Sequence, residues 1–586
     1  MPESRGTARW IVRATLPCVA LALQLLWPLA VRTQSGPGGP AQILTAADVV
    51  AIITVAAESL GDDTMAVGVV DRTGTILGVY RRSDAGPGTP DVAVSLARTG
   101  GFFSNDQAPL SSRTVRFISG IHYPPGVSNT ANAALYGIEN TNRGCQVDGV
   151  APALGLTPPR SIAGTVGTGA GTLPLPCGPL DTRGCARGGP VADLQGRPLP
   201  SVGITTGKAD LFDTGRPLDV PVNPGGMPIF RNGQVVGGVG VAGVTADRAE
   251  YAATLAAAGS GRGLGFPDEL PRPGAVFLDG IQLPFFGTCR VPIIACVGKA
   301  LRRRPPGSAP GRFSQGTMTI HASNGIQAPE GYVIGPRASG QPGGLTRAEV
   351  ERLVSQGVAS ANSTRAQIRL PFGHAAQMVI AVADQSGDVL AAFRMADAPW
   401  FSLDVSIAKS RNAYYFSSRE GYELLRDFVD TNPHDDYRWE PDPPPGQGWA
   451  VTNRTLSFGG QPLFPPGIDL DTTPTPGPWF DLFVYDSLHP CTEGPGRSRG
   501  QDRRYLNQSG IVWFPGSVPL YRNGALMGGL GVSGDGVEQD DFVASTAAAG
   551  FEPPDALRVD NSVIRTGSGK DVRLPYLKFP RNPTQR

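Results

Sequence analysis

The residues of this chain that could do chemistry are few, and the best of them lie in one predicted helix. In the segment DVSIAKSRNAYYFSS, Lys409 supplies an ammonium group and Tyr414 a phenol. An earlier segment, DVAVSLARTGGFFS, is similar, and we align Arg98 with Lys409 and Phe103 with Tyr414. Because Lys and Arg both pair with carboxylates, a cation kept in both segments predicts an acidic ligand. A solvated helix face explains the same cation about equally well.

Histidine is the next candidate ligand. The chain has five, namely His122, His321, His374, His434 and His489. None recurs at aligned positions of the related segments, which argues against a symmetric pair of histidine-ligated sites. His374 precedes a predicted strand, whereas His122 and His489 lie in long insertions. These three are the candidates for a single ligand, and the metal, if there is one, stays unknown.

An arginine and an aspartate recur together in two further matching segments. VVDRTGTILGVYRRSDA carries Arg81 and Asp84, and VADQSGDVLAAFRMADA carries Arg394 and Asp397. Such a pair could clamp a ligand, although a local ion pair is the simpler interpretation. Arg394 therefore joins Lys409 as a candidate cofactor-binding residue of the second segment set.

Motifs for catalysis are absent from the sequence. GVGVAG (238–243) and GLGVSG (529–534) satisfy G-x-G-x-x-G, but each follows the return arm of an Asn-Gly hairpin and precedes no parallel strand. A dinucleotide fingerprint needs that strand, so we expect these glycines to permit close helix-on-sheet packing instead. No H-E-x-x-H, P-loop, CxxC or CxxCH occurs. Nothing in the sequence compels an enzyme.

The sequence segments that must form the elements around these residues occur twice in the chain. PGGMPIFRNGQVVGGVGVAG (224–243) and PGSVPLYRNGALMGGLGVSG (515–534) align without a gap. With the segments above, they define two copies of one folded unit. The first repeat covers 43–286 with an insertion at about 105–223, and the second covers 345–578 with an insertion at about 419–513. Residues 287–344 are expected to be a Gly/Pro/Arg-rich linker.

Each repeat predicts the order helix, hairpin, helix, hairpin, helix. Thr45 with Asp48, and Thr346 with Glu349, have the spacing of a capping box. The first hairpins turn at 71–74 and 384–387, and the Asn-Gly pairs at 232–233 and 523–524 predict type I′ turns. The fold class is α+β, an antiparallel sheet flanked by helices in each copy. We expect the copies to pack as a pseudo-two-fold tandem, an intramolecular pseudo-dimer, with a higher oligomer as an open alternative.

The composition limits the partners and the compartment. A formal net charge of +1 gives no electrostatic footprint for nucleic acid. In residues 1–34, three arginines precede an apolar run, as in a secretory signal peptide, although an uncleaved anchor is the alternative. No other run approaches the length of a membrane span. We therefore expect an exported protein, periplasmic or extracellular, with no membrane span in the mature chain.

The cysteines fit an oxidising compartment. Of the seven, Cys18 lies in the signal segment, leaving Cys145, Cys177, Cys185, Cys289, Cys296 and Cys491. Six cysteines allow 15 pairings, and the sequence does not choose among them. Cys145 and Cys491 each follow a PPG landmark, so a disulfide between these two is one hypothesis.

The residues VxDxxGxxxxxxRxxxA, the IAK of Ile407 to Lys409 and the pattern PGGxPxxxxGxxxGxxGVxG resemble the GlcG/HbpS family of haem-binding proteins, formerly DUF336. The resemblance implies an α+β unit, symmetric assembly and, in some members, haem binding, redox sensing or haem degradation. Two features depart from it. This chain is a tandem with long insertions, and the family's helix lysine survives only as Lys409.

From these observations we expect an exported protein that binds a small-molecule ligand, haem or another small anionic cofactor. The residues expected to hold it are Lys409, Tyr414, His374, Arg394 and Arg98. The second copy is the favoured site. One alternative is a non-catalytic structural or interaction protein without a ligand, and another is a haem-degrading enzyme.

Overall fold

The structure is a computed structural model, and it describes the chain in segments. They are residues 43–86, 89–124, 127, 133–142, 145, 224–267, 272–287, 303–320, 328–471, 473–488, 492–497 and 507–584. The expected signal segment 1–34 and most of the first insertion lie outside these residues. The domain boundaries of the sequence analysis therefore stay predictions.

The first half of the chain supplies four helices and seven strands among the described residues. They are α1 (Ala46–Ser59), β1 (Ala66–Asp71), β2 (Ile76–Arg82), α2 (Thr89–Phe103), α3 (Ser112–Ile118), β3 (Gly226–Arg231), β4 (Gln234–Ala242), α4 (Ala246–Gly259), β5 (Phe277–Leu278), β6 (Ile281–Gln282) and β7 (Gly316–Ile320).

The second half repeats that order and adds elements from its insertion. They are β8 (Gly331–Ile334), α5 (Arg347–Ser363), β9 (Val379–Asp384), β10 (Val389–Arg394), α6 (Ser402–Ser417), α7 (Arg419–Asp430), β11 (Arg438–Glu440), α8 (Asn453–Gly459), α9 (Phe480–Leu488), β12 (Ser517–Arg522), β13 (Ala525–Ser533), α10 (Val537–Ala547), β14 (Val563–Arg565) and β15 (Asp571–Arg573).

Two five-stranded antiparallel sheets form the centre of the protein, which confirms the predicted α+β class. Their strand orders are β3-β4-β1-β2-β7 and β12-β13-β9-β10-β8. In both, the two hairpins meet through the second strand of one and the first strand of the other. The outer strands β7 and β8 come from 287–344, the segment expected to be a linker. That segment therefore takes part in both sheets.

The local signals of the sequence form as predicted. Thr45 and Thr346 each accept the N3 backbone N–H while the N3 acid accepts the cap N–H, so both capping boxes are present. Asn232 and Asn523 have φ of 52°, and the glycine after each also has positive φ. Two consecutive positive-φ residues define the type I′ turn, whose twist matches that of the flanking strands.

The repeated glycines bring a helix onto the sheet. A Cβ on Gly238 or Gly240 would overlap the carbonyl oxygens of Ala97 or Ala93 in α2. Gly529 and Gly531 stand in the same relation to carbonyls of α6. The backbone of each buried helix therefore touches the backbone of β4 or β13, which only glycine permits. The interpretation of the G-x-G-x-x-G motif as a packing device is confirmed.

The two halves touch directly at the C-terminal end of α2. The rings of Phe103 and Phe401 stack with centroids 4.2 Å apart. Trp400 donates its Nε1–H to the carbonyl of Thr73 at 3.2 Å and its backbone N–H to the carbonyl of Phe102 at 3.1 Å. One buried apolar cluster includes Phe103 and Phe401. A pseudo-two-fold relation between the halves stays a prediction.

The structure bears on the expectations about membrane spans and cysteine pairing only for the described residues. Within the described residues, no helix is long and apolar enough to cross a membrane. Cys145 is buried, whereas the other cysteines expected in the mature chain lie outside the described residues. The cysteine pairing stays a prediction.

Candidate functional site

Lys409, the leading candidate, is sealed inside the second half. Its side chain has no exposed surface, and Nζ donates to the carbonyl of Val532 at 2.8 Å and to Oδ2 of Asp540 at 3.1 Å. The ring centroid of Phe514 lies 4.9 Å from the same nitrogen. Burial lowers the pKa of Lys409 and raises that of Asp540 to about 7. The ammonium group therefore already has its counter-ion.

The two helices align differently from the sequence prediction. Nε of Arg98 donates to the carbonyl of Gly74 at 3.0 Å, and Nε of Arg411 donates to the carbonyl of Gly387 at 2.8 Å. Both glycines close the first hairpin of their repeat, so Arg98 and Arg411 are the equivalent residues. The pairing of Arg98 with Lys409 was wrong, because Arg411, two positions after Lys409, makes the contact that Arg98 makes in the first half. The same shift of two positions applies to Tyr414, which is therefore not equivalent to Phe103.

Two residues of the first half occupy the places that Lys409 and its partner occupy in the second. Leu96 stands two positions before Arg98, as Lys409 stands two before Arg411. A Cβ on Gly225 would meet Leu96 and Ala249, and a Cβ on Gly516 would meet Lys409 and Asp540. An apolar pair thus occupies in the first half the place that an ion pair occupies in the second.

Three other predicted residues have different surroundings. Tyr414 is partly buried, and burial raises the pKa of its phenol. His374 is exposed in the loop before β9, where its carbonyl accepts the N–H of Ala366 at 2.8 Å. Arg98 is buried, with its Nε held by Gly74. Of these three, His374 is the one whose side chain is open to an incoming ligand.

The repeated arginine and aspartate do not form the expected local pair. Arg394 donates to the carbonyl of Ala398 at 2.7 and 3.0 Å, and Arg81 donates to the carbonyl of Ala85 at 2.7 Å. Asp397 instead accepts from Nη1 of Arg369 at 2.8 Å. Both arginines therefore hold the turn that follows the second strand.

Both insertions carry a clamp that was not predicted from the sequence. Ser111 and Thr452 cap the short helices α3 and α8. In each, an arginine reaches a buried acid of the last helix: Arg113 bonds Glu250 at 2.6 Å, and Arg454 bonds Asp541. The repeated letters SSRT and TNRT were the available signal. The insertions therefore begin with a shared structural piece.

An open groove of about 810 Å³ is lined mainly by the second half, with Phe277, Asp279 and Gly280 of the first half also in its lining. Phe372 and Phe579 line it with 66% and 48% of their surfaces exposed. Three cations also line it, Arg365, Lys578 and Arg581, together with two acids, Asp279 and Glu538. Large exposed apolar side chains gathered in one place mark a binding surface.

His374 adjoins this groove through the backbone. Arg365 and Ala366 both line the groove. Arg365 forms a β-bridge with Ala375, and the N–H of Ala366 donates to the carbonyl of His374. Phe372, two residues earlier, also lines the groove. The exposed histidine, the aromatic rings and the cations thus lie in one neighbourhood.

A second cavity of about 400 Å³ lies where the two halves meet. Its polar lining comes from both, with Asp71, Arg72 and Asp106 from the first and Glu330, Arg394 and Asp397 from the second. Among the described residues, no cluster of three or more histidine, cysteine or acidic side chains is arranged to hold a metal ion.

Comparison with known proteins places one segment in a family. Residues 483–549 match the family described as haem-degrading, HbpS-like proteins. The segment includes β12, β13 and α10, so the resemblance to the GlcG/HbpS family is confirmed for that part of the second repeat. No curated protein matches the chain.

Two solved structures are similar at low identity. Protein ORFY of Klebsiella pneumoniae, a DUF336 protein, is 18% identical, with 36% of this chain and 94% of that chain covered and a TM-score of 0.20. A complex of PduOC with haem is 21% identical, with 36% and 95% covered and a TM-score of 0.20. Neither likeness is close enough to place a ligand in this chain.

Proposed function

We propose that this chain binds haem, or another small anionic cofactor, in the groove of Phe372 and Phe579. The family matched by residues 483–549 supports haem as the cofactor. The observation that carries the proposal is the groove itself, in which exposed aromatic rings and cationic side chains line one open space. The volume of about 810 Å³ is in the range of small-molecule sites.

The chemistry of the groove suits a flat, apolar dianion. A porphyrin has two broad apolar faces, which Phe372 and Phe579 would cover, and two carboxylates at one edge. Arg365 and Arg581 offer planar guanidinium groups that bind carboxylates through two hydrogen bonds, and Lys578 adds a point charge. Glu538 bonds Lys578, which leaves the two arginines as the stronger carboxylate partners.

His374 is the residue that we propose as the iron ligand. Imidazole is a common ligand of haem iron. Its exposure and its place beside Arg365 and Ala366 support the assignment. The proposal thus keeps one of the residues expected from the sequence and moves the site away from the helix lysine.

Lys409 does not bind the ligand in this proposal. Its ammonium group is already bonded to Asp540 and to the carbonyl of Val532, with no exposed surface. Releasing it to a ligand would leave Asp540 buried and unpaired, which is costly. We therefore assign Lys409 to the packing of α6 against α10.

Hemin titration of the full chain tests the proposal. We expect a saturable change of the Soret band at one haem per chain. The variant His374→Ala should bind hemin with an altered spectrum, and His434→Ala, the same change at a partly exposed histidine paired with Asp481, should leave the spectrum unchanged. A folded chain that shows no saturable Soret change would favour the structural or interaction protein instead.

The aromatic rings have their own matched control. Phe372→Ala and Phe579→Ala should each weaken hemin binding, because each exposes part of a porphyrin face to water. Tyr332→Ala removes an aromatic ring that is similarly exposed but lies on β8. Equal losses in all three variants would refute the placement in the groove.

Haem degradation is a second candidate, favoured by the description of the matched family. It requires an external electron donor and dioxygen. Incubating the hemin complex with ascorbate in air tests it, with free hemin under the same conditions as the control. Loss of the Soret band faster than in free hemin, together with a bilin product, would establish the activity.

We further propose that the protein is exported, on the basis of the basic and apolar residues in 1–34. Fusing this segment to a reporter that is active only outside the cytoplasm tests the proposal. A reporter that stays inactive would contradict it.

A further inference from the structure

The second half docks on a surface of the first half that is made of its first hairpin turn and the C-terminal end of α2. Trp400 donates its Nε1–H to the carbonyl of Thr73 at 3.2 Å and its backbone N–H to the carbonyl of Phe102 at 3.1 Å. The ring of Phe401 stacks on that of Phe103 with centroids 4.2 Å apart. Two consecutive residues, Trp400 and Phe401, thus make this contact, and we call them the docking residues.

The second half covers the equivalent turn with a residue of its own. VVDRTG and VADQSG align Ser386 with Thr73. The carbonyl of Ser386 accepts the side-chain N–H of Asn507 at 3.3 Å, and the same amide donates to Oδ1 of Asp388 in the turn. Asn507 comes from the second insertion. The carbonyl that receives Trp400 in the first half is therefore already bonded within the second half.

The end of α6 is covered as well. Tyr415 is the counterpart of Phe102, and its carbonyl accepts the N–H of Ser418 at 3.0 Å and the hydroxyl of Ser418 at 2.6 Å. Phe416, the counterpart of Phe103, has no exposed surface. It belongs to an apolar cluster that draws most of its residues from the second insertion. Both parts of the docking surface are thus occupied in the second half.

Residues 507–510 form one continuous piece across this surface, and we call them the cap. Beyond the asparagine on the turn, the hydroxyl of Ser509 accepts Nη1 of Arg411 at 2.6 Å. The carbonyl of Gly510 accepts the side-chain N–H of Asn412 at 2.9 Å. Arg411 and Asn412 lie in α6, so the cap joins the turn to the helix.

The first half does not have the docking residues. RRSDAGPGT (81–89) and RMADAPWFS (394–402) align without a gap and place Pro87 and Gly88 where the second half has Trp400 and Phe401. Neither Pro87 nor Gly88 carries an aromatic ring. The first half thus offers the surface without the docking residues, and the second half offers the docking residues with its surface covered.

This division matters because the docking residues and the docking surface are two different patches. If every repeat carried both in an accessible form, each chain could add the next one, and the assembly would grow as a ring or a filament. In this chain the docking residues are replaced in one half, and the docking surface is covered in the other.

We propose that residues 507–510 are an intramolecular cap that ends assembly at the two halves of one chain, so that the protein is a monomer in solution. The second insertion then has a specific task, which is to occupy the surface where a further repeat would dock. The proposal is independent of the haem groove, because no residue of the cap lines that groove.

Sedimentation velocity of the full chain over a wide range of concentrations tests the proposal. We expect one species with the mass of a single chain at every concentration. A dimer or a larger particle that forms as the concentration rises would overturn the proposal.

Supplying the missing docking residues tests the cap itself. The double variant Pro87→Trp with Gly88→Phe gives the first half the aromatic pair that the second half has. Because the cap covers the surface that this pair would contact, the variant, if folded by circular dichroism, should stay monomeric. Dimers of this variant that the wild type does not form would show that the surface is accessible and would overturn the cap.

Opening the cap in the double variant should have the opposite result. Asn507→Asp withdraws the donor from the carbonyl of Ser386 and places a carboxylate beside Asp388, and like charges placed together repel. This triple variant should self-associate. Asn362→Asp, the same change at an exposed position of α5, is the control and should leave the double variant monomeric. A folded Asn507 variant that stays monomeric, or association of the Asn362 control, would overturn the assignment of the cap.

Discussion

Lys409 and Asp540 form a fully buried ion pair in the second half, where the first half has Leu96 and Ala249. The chain thus contains both an ionic and an apolar solution to the same packing problem. Removing one partner of a buried pair leaves an uncompensated charge, whereas replacing both by apolar groups is often neutral or stabilising. The first half shows that the surrounding fold accepts the apolar version.

This relationship predicts a non-additive pair of substitutions. Lys409→Leu alone should destabilise the chain by about 3–5 kcal/mol, because Asp540 stays buried without its counter-ion. The double variant Lys409→Leu with Asp540→Ala should recover most of that loss. Urea denaturation of the wild type, of Lys409→Leu, of Asp540→Ala and of the double variant measures these losses. Additive losses would contradict the structural role.

The same double variant separates packing from ligand binding. If Lys409 only packs α6 against α10, the folded double variant should bind hemin as the wild type does. Loss of hemin binding in a double variant of wild-type stability would show that Lys409 contributes to ligand binding.

A second prediction concerns the glycines of β13. Gly531→Ala should cost about 2 kcal/mol or more, because the new Cβ would overlap the carbonyl oxygen of Ser406 and push α6 off the sheet. Gly335→Ala is the control, since its Cβ would meet no atom within 4 Å. Thermal unfolding compares them. Equal melting temperatures would refute the packing role of the motif.

A third prediction follows from the carboxyl of Asp106. Burial and the nearby Asp397 raise its pKa to about 6, against the opposing charges of Arg72 and Arg369. A carboxyl with a raised pKa in the folded state binds a proton on folding between about pH 4 and pH 6. Its contribution to stability is therefore present at low pH and lost as pH rises through about 6.

Asp106→Asn tests the sign of that dependence. The amide keeps an oxygen for the N–H of Val235 and cannot titrate. Relative to the variant, the wild type should lose at most about 3 kcal/mol of unfolding free energy between pH 4 and pH 7, from 1.36 kcal/mol per pKa unit. A wild type that gains stability over this range, relative to the variant, would contradict the assignment.

A fourth prediction keeps the cysteine hypothesis open to test. Non-reducing peptide mapping of the mature chain should recover Cys145 and Cys491 in one disulfide-linked peptide. A disulfide between these residues would cross-link the two repeats and stabilise the chain through its unfolded state. Recovery of either cysteine as a free thiol would end the hypothesis.

The local elements were predictable because their signals are short-range. A capping box needs only Thr45 and Asp48, and a type I′ turn needs only Asn232 and Gly233, so sequence spacing was enough. Duplication strengthened each prediction, since both copies carry the same signals. The α+β class followed from the order of these elements.

The register of the two helices could have been predicted from the sequence. Aligned without a gap from Asp91 and Asp404, the two segments pair Arg98 with Arg411, and matching the cations Arg98 and Lys409 instead required a shift of two positions. The hydrogen bonds from Arg98 and Arg411 to the turns at Gly74 and Gly387 confirm the ungapped register. Those bonds exist only once helix and hairpin have packed.

The sequence by itself determined the repeated elements, their order and their class, because capping, turn chemistry and glycine spacing act over a few residues. Only the tertiary structure decided which polar groups are satisfied. It paired Lys409 with Asp540 and bonded Ser339 to Asp384, through contacts between residues far apart in the chain. Burial and pairing are properties of the packed fold, and they locate the candidate sites.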